Sequence, residues 1–408
     1  MRGFLVLFSK YLPELRRGYM QDIHLLIIRK CHIPLWFFCV FISVFSANPI
    51  SAATPKDLTH KSAILIEAET GHVLKAYRPN AQHMPASIVK MMLMLLLAEG
   101  VERGALSLDE EVTTSAEASR MGGSQVFLKH GEQFPLSALM KALTIASAND
   151  AALAIAEHIA GASDAMVSLM NQRAQELGMK NTHYASVHGL PPGPDKKYDY
   201  TTAYDTALLA REIVKHPLIL KWTRIWKNTF RGGKFTLYNT NRILLRTFNG
   251  MDGIKTGYLK EAGFNICATA VRDEMRLIAV VFGAPSRKER TSETRKLLLQ
   301  GFRVYKKEKL FAAIEEISRT LPVEGGEKKT VLGIPARQVM VVVKRLKTLK
   351  ITTRLQVPLL IKAPIQKGEK LGEIEALLGS KVLAKVDLLA AESVSEMGWL
   401  GRLMFWNR

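Results

Sequence analysis

Pro85-Ala-Ser-Ile-Val-Lys-Met-Met-Leu-Met-Leu-Leu-Leu-Ala98 contains no glycine and, after Pro85, no proline, and every residue beyond Lys90 is apolar. A segment that is apolar all round has no face to turn to water, so it reads as a buried helix around which a domain is built. Gly100 and Gly104 end it. At its start stand Ser87 and Lys90, three residues apart, a spacing that puts both side chains on one helical face within reach of each other.

Working outward, Ser62-Ala-Ile-Leu-Ile-Glu-Ala68 and His72-Val-Leu-Lys-Ala-Tyr77 flank Thr70-Gly71 and predict a β-hairpin. Two helices are expected over Leu136 to Ala146 and Ala151 to Ala160, with Ser147-Ala148-Asn149 in the bend between them and Asp150 as N-cap of the second. Residues 171 to 213 are helical in pattern at both ends, but His188-Gly-Leu-Pro-Pro-Gly-Pro194 must be loop. A meander follows, with strands over Gly253 to Tyr258, Asn265 to Arg272 and Arg276 to Gly283, the last two turning at Asp273-Glu274. A closing helix is expected over Glu293 to Tyr305. Antiparallel strands at both ends of this region, with helical clusters between, predict an α+β domain whose first and last strands share a sheet.

The 408-residue length suits more than one domain. The organisation expected is a signal peptide over 1–53, the α+β domain over 54–315, a small all-β sandwich over 316–390 and an amphipathic helix over 391–408. The signal reading rests on Ile33 to Ala47, an apolar run preceded by Arg29 and Lys30 and followed by Ser51-Ala-Ala53. In the last segment Val394, Met397, Leu400, Leu403 and Met404 recur at three- and four-residue steps beside Trp399, Phe405 and Trp406, the pattern of a helix lying in a membrane surface. Cys31 and Cys39 fall in the signal segment, so Cys267 is left alone, and an exported chain with one thiol has no internal disulfide.

The formal net charge is +20. Such a balance asks for anionic partners, and export points away from nucleic acid toward membrane headgroups and anionic wall polymers. The chain has no zinc-finger spacing, no aromatic-basic nucleic-acid motif and no glycine-rich phosphate loop. Its ten histidines, His83, His183 and His188 among them, show no metal-ligand spacing, and no cofactor is expected.

Three strings carry the chemistry: Ser87-Ile-Val-Lys90, Ser147-Ala-Asn149 and Lys255-Thr-Gly257. A lysine acts as a base only when neutral, against a reference pKa of about 10.4. The partial positive charge of a helix N-terminus, the apolar neighbours Ile88, Val89, Met91 and Met92, and a second cation, Lys255, would each favour the neutral amine at Lys90. Ser87 with neutral Lys90 is then a nucleophile with its base. Ser147 can pass a proton, Asn149 can hold a substrate amide or carbonyl, and Lys255 offers a fixed cation for a substrate carboxylate beside the Thr256 hydroxyl. Gly257 would let a substrate backbone approach the strand edge. The backbone N–H groups of Ser87 and Tyr258 are candidates for an oxyanion hole.

In that order the strings match the S-x-x-K, S-x-N and K-T-G set of penicillin-reactive serine enzymes. With Glu67 to Leu74, Pro85-Ala-Ser87, Asn149-Asp-Ala151, Glu176 to Thr182, His188-Gly-Leu190 and Asp252 to Gly257, the chain resembles the serine-type D-alanyl-D-alanine carboxypeptidases, the low-molecular-mass penicillin-binding proteins. The resemblance implies a β-lactamase/transpeptidase-like catalytic domain, a β-sandwich and a membrane helix. It also implies removal of the terminal D-Ala from peptidoglycan stem pentapeptides through a Ser87 acyl-enzyme, reaction with β-lactam antibiotics, and a place at the periplasmic face of the inner membrane. Carried over by position, Arg290 assists Lys255 with the substrate carboxylate.

The sequence departs from the family pattern at Ala148, Val89 and Tyr258-Leu259. Two other readings compete with this one. A class A β-lactamase needs a deacylating Glu with Asn four residues on, and none of Glu157, Glu176 and Glu212 has one. A non-catalytic, membrane-held wall-binding protein has no use for intact Ser87, Lys90 and Lys255.

Overall fold

The computed structural model describes residues 59–193, 197–309, 318–338, 340–345 and 351–398. The expected signal segment 1–53 lies outside them. The apolar run after Ser87 forms the helix Lys90–Glu102, in which every residue from Lys90 to Ala98 is buried except the half-buried Leu96. It is the axis of the larger core, with Val112, Leu136, Leu143, Ala152, Ile155, Met170, Leu209 and Ile213 among the residues packed with it. The helices Asn149–Ala160, Ser163–Glu176, Ala203–Ile213 and Pro217–Thr223 complete the cluster.

On the other side of the core lies a five-stranded antiparallel sheet in the order Val73–Tyr77, Ser62–Glu67, Met275–Ala284, Gly263–Arg272, Met251–Leu259. The strands that come first and last in the chain, Ser62–Glu67 and Met275–Ala284, pair directly, with Ile64 opposite Val280, so the two ends of the domain are stitched together as expected. The turn Asp273-Glu274 joins two ten-residue strands, both of its residues having positive φ. This is the two-residue geometry that matches strand twist. Cys267 lies buried in the sheet as a small hydrophobe, and burial pushes its thiol pKa up.

Two boundaries differ from expectation. The closing helix runs Arg287–Val304, six residues longer at its start, because the Ser286 hydroxyl accepts the Glu289 N–H and caps it there. Asp150 is not an N-cap. The helix begins at Asn149, and the Asp150 carboxylate instead accepts the N–H groups of Val126, Leu128 and Ala151.

The C-terminal strands form a six-stranded sheet, order Ile351–Gln356, Lys370–Leu378, Lys381–Ala390, Thr330–Pro335, Arg319–Glu324, Ile361–Lys362, and a ribbon of Tyr305–Lys309 with Met340–Lys344. Val341 and Val343 of the ribbon share one core with Leu321, Val331, Ile374, Val386 and Leu388 of the sheet, which makes this region all-β.

The helix expected from residue 391 does not form over 391–398. Val394 is buried and bridges Ile365, and the Met397 N–H donates to the Gly325 carbonyl at 2.8 Å. The apolar side chain assigned to a membrane face is spent on the β core. Residues 399–408 lie outside the described residues, and no helix of the described residues is long and apolar enough to cross a membrane.

Candidate active site

Ser87 lies in a 3-10 turn, Ala86–Val89, which leads into the α-helix at Lys90. In 3-10 geometry the side chains at i and i+3 eclipse, so this turn aims Ser87 and Lys90 to one side more closely than an α-helix would. The Lys90 Nζ is 3.0 Å from the Ser87 Oγ, 2.7 Å from the Asn149 Oδ1 and 2.7 Å from the His188 carbonyl oxygen. Two of these three oxygens are carbonyls, which can only accept. A neutral amine has two N–H groups and one lone pair, so its protons go to Asn149 and His188 and the lone pair faces the Ser87 hydroxyl. The environment favours that form. Complete burial lowers the Lys90 pKa well below its usual value and nearby Lys255 adds to the effect, against the smaller opposite pull of Asp199 and Asp150.

The loop carrying His188 is held close by Gly189, whose φ is +79°. A Cβ there would stand 2.2 Å from the Ala86 carbonyl oxygen. Gly257 is required for a similar reason. A Cβ on it would lie 2.4 Å from the Pro85 carbonyl oxygen and 3.2 Å from the Ser87 nitrogen. This corrects the sequence reading: Gly257 makes room for the nucleophile's own turn, not only for a substrate.

Ser147 ends a π-helical turn, Ala142–Ala146, and takes a left-handed conformation at φ 63°. The turn swings its hydroxyl toward the strand Met251–Leu259, where it accepts a hydrogen bond from the Lys255 Nζ at 2.8 Å. Because Ser147 accepts from Lys255, its own proton is free for another acceptor. Asn149 is more committed than its expected substrate-holding role implies. Its Oδ1 accepts from Lys90, and its Nδ2 donates to the Gly122 carbonyl at 2.7 Å, leaving one amide proton for a ligand.

Lys255 requires the largest correction. It is buried, it donates to Ser147 and to the Thr256 carbonyl, and it does not line the pocket. Burial, and then the charge of Arg290, lower its pKa to about 7, so it is not the permanently charged carboxylate site that its lysine identity suggested. Arg290, the other cation assigned to that role, does face the cleft. Its buried Nε has no hydrogen-bond partner among the described residues. Its pKa, lowered by burial to about 10, leaves it charged at neutral pH.

The pocket itself is a cleft of about 500 Å³ holding Ser87, Ser147, Asn149, Thr256, Gly257, Tyr258 and Arg290. The nine residues singled out in the sequence therefore converge, with Lys90 and Lys255 behind the cleft wall. Sequence reasoning missed Thr240, Arg242 and Arg287, which also line it. The Thr256 hydroxyl donates to that of Thr240 at 2.7 Å. No local pattern marks these residues: Thr240 and Arg242 come from the turn into the helix Arg242–Thr247 and Arg287 from the start of Arg287–Val304. No carboxylate is among the described lining residues, while three arginines are. The histidines near the site are structural in use: His83 stacks on Phe282, and the His188 Nδ1 accepts the Leu190 N–H.

Comparison with known proteins gives consistent results. The family model for D-alanyl-D-alanine carboxypeptidase matches residues 49–286, and that for the penicillin-binding protein 5 C-terminal domain matches residues 305–396. The chain is 36% identical over 350 residues to the D-alanyl-D-alanine carboxypeptidase DacF of Bacillus subtilis, covering 84% of this chain and 88% of that one. The structure of penicillin binding protein 5 from Haemophilus influenzae superposes with a TM-score of 0.75 at 30% identity, covering 84% of this chain and 99% of that one. Penicillin-binding protein D2 from Listeria monocytogenes, in its ampicillin-bound form, superposes with a TM-score of 0.55 at 29% identity over 60% of this chain and all of that one.

Proposed function

The chain belongs to the D-alanyl-D-alanine carboxypeptidase family and is a serine-type peptidase of the penicillin-binding protein class, and from that premise we propose that it trims the terminal D-Ala from peptidoglycan stem pentapeptides through an acyl-enzyme on Ser87. The observation that carries this reading is the three-oxygen setting of Lys90, which leaves its lone pair for the Ser87 proton.

In this mechanism neutral Lys90 takes the hydroxyl proton as the Ser87 Oγ attacks the carbonyl of the penultimate D-Ala. The backbone N–H groups of Ser87 and Tyr258 receive the oxyanion. The Ser147 hydroxyl, bonded to Lys255, delivers a proton to the departing D-Ala nitrogen as the peptide C–N bond breaks, and the proton held by Lys90 replaces it. Water, deprotonated by Lys90, then attacks the ester. It frees the shortened peptide and returns the proton to Ser87. Arg290 holds the terminal carboxylate, beside the bonded hydroxyls of Thr256 and Thr240, for which an arginine-lined cleft with no described carboxylate is suited.

A β-lactam presents a similar carbonyl and carboxylate, so penicillins are expected to acylate Ser87. A β-lactamase reading is disfavoured because no described carboxylate lines the cleft to drive rapid deacylation. Export to the compartment of the wall is part of the proposal, supported by the apolar run Ile33 to Ala47 behind Arg29 and Lys30.

The test is release of free D-Ala from a D-Ala-D-Ala peptide alongside covalent labelling by a fluorescent penicillin, for wild type and Ser87→Ala. Both signals are expected in wild type and neither in the variant. An unlabelled wild type would rule out the Ser87 acyl-enzyme, and fast turnover of the penicillin would move the assignment to a β-lactamase.

A further inference from the structure

At the opposite end of the helix that starts with Lys90, four carboxylates and one histidine collect outside the active site. Glu99 and Glu102 come from the last turn of that helix, Glu176 from the end of Ser163–Glu176, and Glu212 from the end of Ala203–Ile213. His216 occupies the N-cap position of Pro217–Thr223. Carboxylate oxygens of Glu99 and Glu212 and a ring nitrogen of His216 lie within 4.8 Å of one another.

The histidine points beyond an ordinary ion-pair network. His216 is 8% exposed, and its Nδ1 is 2.8 and 2.9 Å from the two Glu102 oxygens. Its Nε2 is fully buried with no hydrogen-bond partner among the described residues. A carboxylate only accepts, so the Nδ1 carries a proton, and in the neutral ring the Nε2 then keeps a lone pair with no donor to receive. An imidazole with one nitrogen on a carboxylate and the other vacant is how metal-ligating histidines are held.

The cations present do not exhaust the acidic groups. The Arg173 Nε and Nη2 both donate to the Glu99 Oε1, at 3.0 and 2.7 Å, and its Nη1 donates to Glu176, while Lys215 donates to the Glu212 Oε2 at 2.6 Å. The Glu99 Oε2 remains, and the Glu212 Oε1 has only a long ion pair with the Arg173 Nη2, at 3.9 Å. Arg103 and Arg173 line a surface cleft with Glu99, Glu102 and Glu176.

We propose that Glu99, Glu212 and His216 form a zinc site, with Glu102 orienting the imidazole. One nitrogen and two carboxylate oxygens suit Zn²⁺, and water would complete a four-coordinate shell. Tetrahedral bonds of about 2.1 Å set ligand atoms about 3.4 Å apart, so the three groups close by roughly an ångström when the ion enters. The ion ties together the helix carrying Lys90, the helix Ala203–Ile213 and the start of Pro217–Thr223. Glu99 lies nine residues from Lys90, about 14 Å along the helix, so the ion takes no part in the reaction at Ser87. It acts as a staple at the far end of the helix that holds the base.

The test uses the full chain, stripped with a chelator, and Zn²⁺ titrated by calorimetry and followed by thermal melting. Expected are one zinc per chain, a melting temperature that climbs with free zinc, and binding weakened about tenfold or more by either His216→Gln or Glu212→Gln. Cobalt substituted for zinc should give the visible bands of a four-coordinate ion in wild type and lose them in both variants. D-Ala release should be unchanged in the zinc-free variants, which separates this site from the catalytic reading. Absence of zinc uptake at about 100 µM would overturn the proposal, as would uptake that both variants retain. Should His216→Gln fail to fold, Glu212→Gln with the cobalt spectrum decides alone.

Discussion

Replacing Lys255 with methionine should stabilise the protein while disabling it, and by an amount that depends on pH in a calculable way. Burial and Arg290 lower the Lys255 pKa from 10.5 to about 7. At 1.36 kcal/mol per unit, holding this lysine in the folded chain costs about 4 kcal/mol at pH 7. Lys255→Met keeps the unbranched shape and removes that cost, but forfeits the bonds to the Ser147 Oγ and the Thr256 carbonyl. Those are worth about 1 kcal/mol each, so the net gain at pH 7 is about 2 kcal/mol. Between pH 7 and 10.5 the unfolded wild type binds a proton on Lys255 that the folded one does not, so wild-type stability rises with pH by up to about 1.4 kcal/mol per unit. The variant lacks this slope. The gap between the two should therefore shrink as pH rises, vanish at about pH 9 and reverse by about pH 10. Urea unfolding of both proteins at pH 7, 8, 9 and 10 measures it. A gap that stays constant across that range would refute the claim that Lys255 loses charge on burial.

Other consequences are checked by kinetics. D-Ala release should rise with pH as Lys90 loses its proton and fall above about pH 7 as Lys255 loses the charge that supports Ser147; Lys255→Arg should remove the alkaline fall, because arginine stays charged. Arg290→Gln should lower kcat/KM about 10- to 100-fold for a free-carboxylate peptide and change little for the C-terminal amide, the loss expected for a charge-assisted bond. It should also move the alkaline limb upward, since Arg290 depresses Lys255. Gly257→Ala places a methyl 2.4 Å from the Pro85 carbonyl oxygen, so penicillin labelling should fall steeply while urea unfolding reports a loss of about 1–3 kcal/mol.

Much of this was legible in the sequence, and the exceptions have physical causes. The helix Lys90–Glu102 and the meander around Asp273-Glu274 are local statements, one about residues with no polar face and the other about a two-residue turn. The convergence of Ser87, Ser147 and Thr256 was legible only as matched strings, because no periodicity brings three distant segments together. The state of Lys255 was not legible. It depends on Arg290, which reaches the site from a helix on the far side of two further strands. The reading of Asn149 missed Gly122 for the same reason. Val394 and Met397 are spaced as on a helix, yet so short a run fits an extended chain equally well, and the β core claimed Val394.

Four destabilising features of this domain sit where its chemistry is. Ala86 sits at φ 52° immediately before the nucleophile, and Ser147 at φ 63°. Non-glycine residues in that region cost about 1 kcal/mol each. Lys90 and Lys255 are both buried, and each would be easier to bury as methionine. None of these four features improves packing, so their conjunction requires a compensating source, and the residues around Lys90 identify it. Met91 to Leu95, Leu97 and Ala98 are each fully buried, and a large aliphatic side chain contributes roughly 1.5–3 kcal/mol on burial. The apolar run thus does two things at once. It supplies the driving force that holds Ala86 and Lys90 in unfavourable states, and it excludes the water that would otherwise keep Lys90 protonated. Loosening that packing, as by Leu93→Ala beneath the site, should raise the Lys90 pKa as well as lower stability. The acid limb of D-Ala release would then move to higher pH, a shift that a loss of stability alone does not produce.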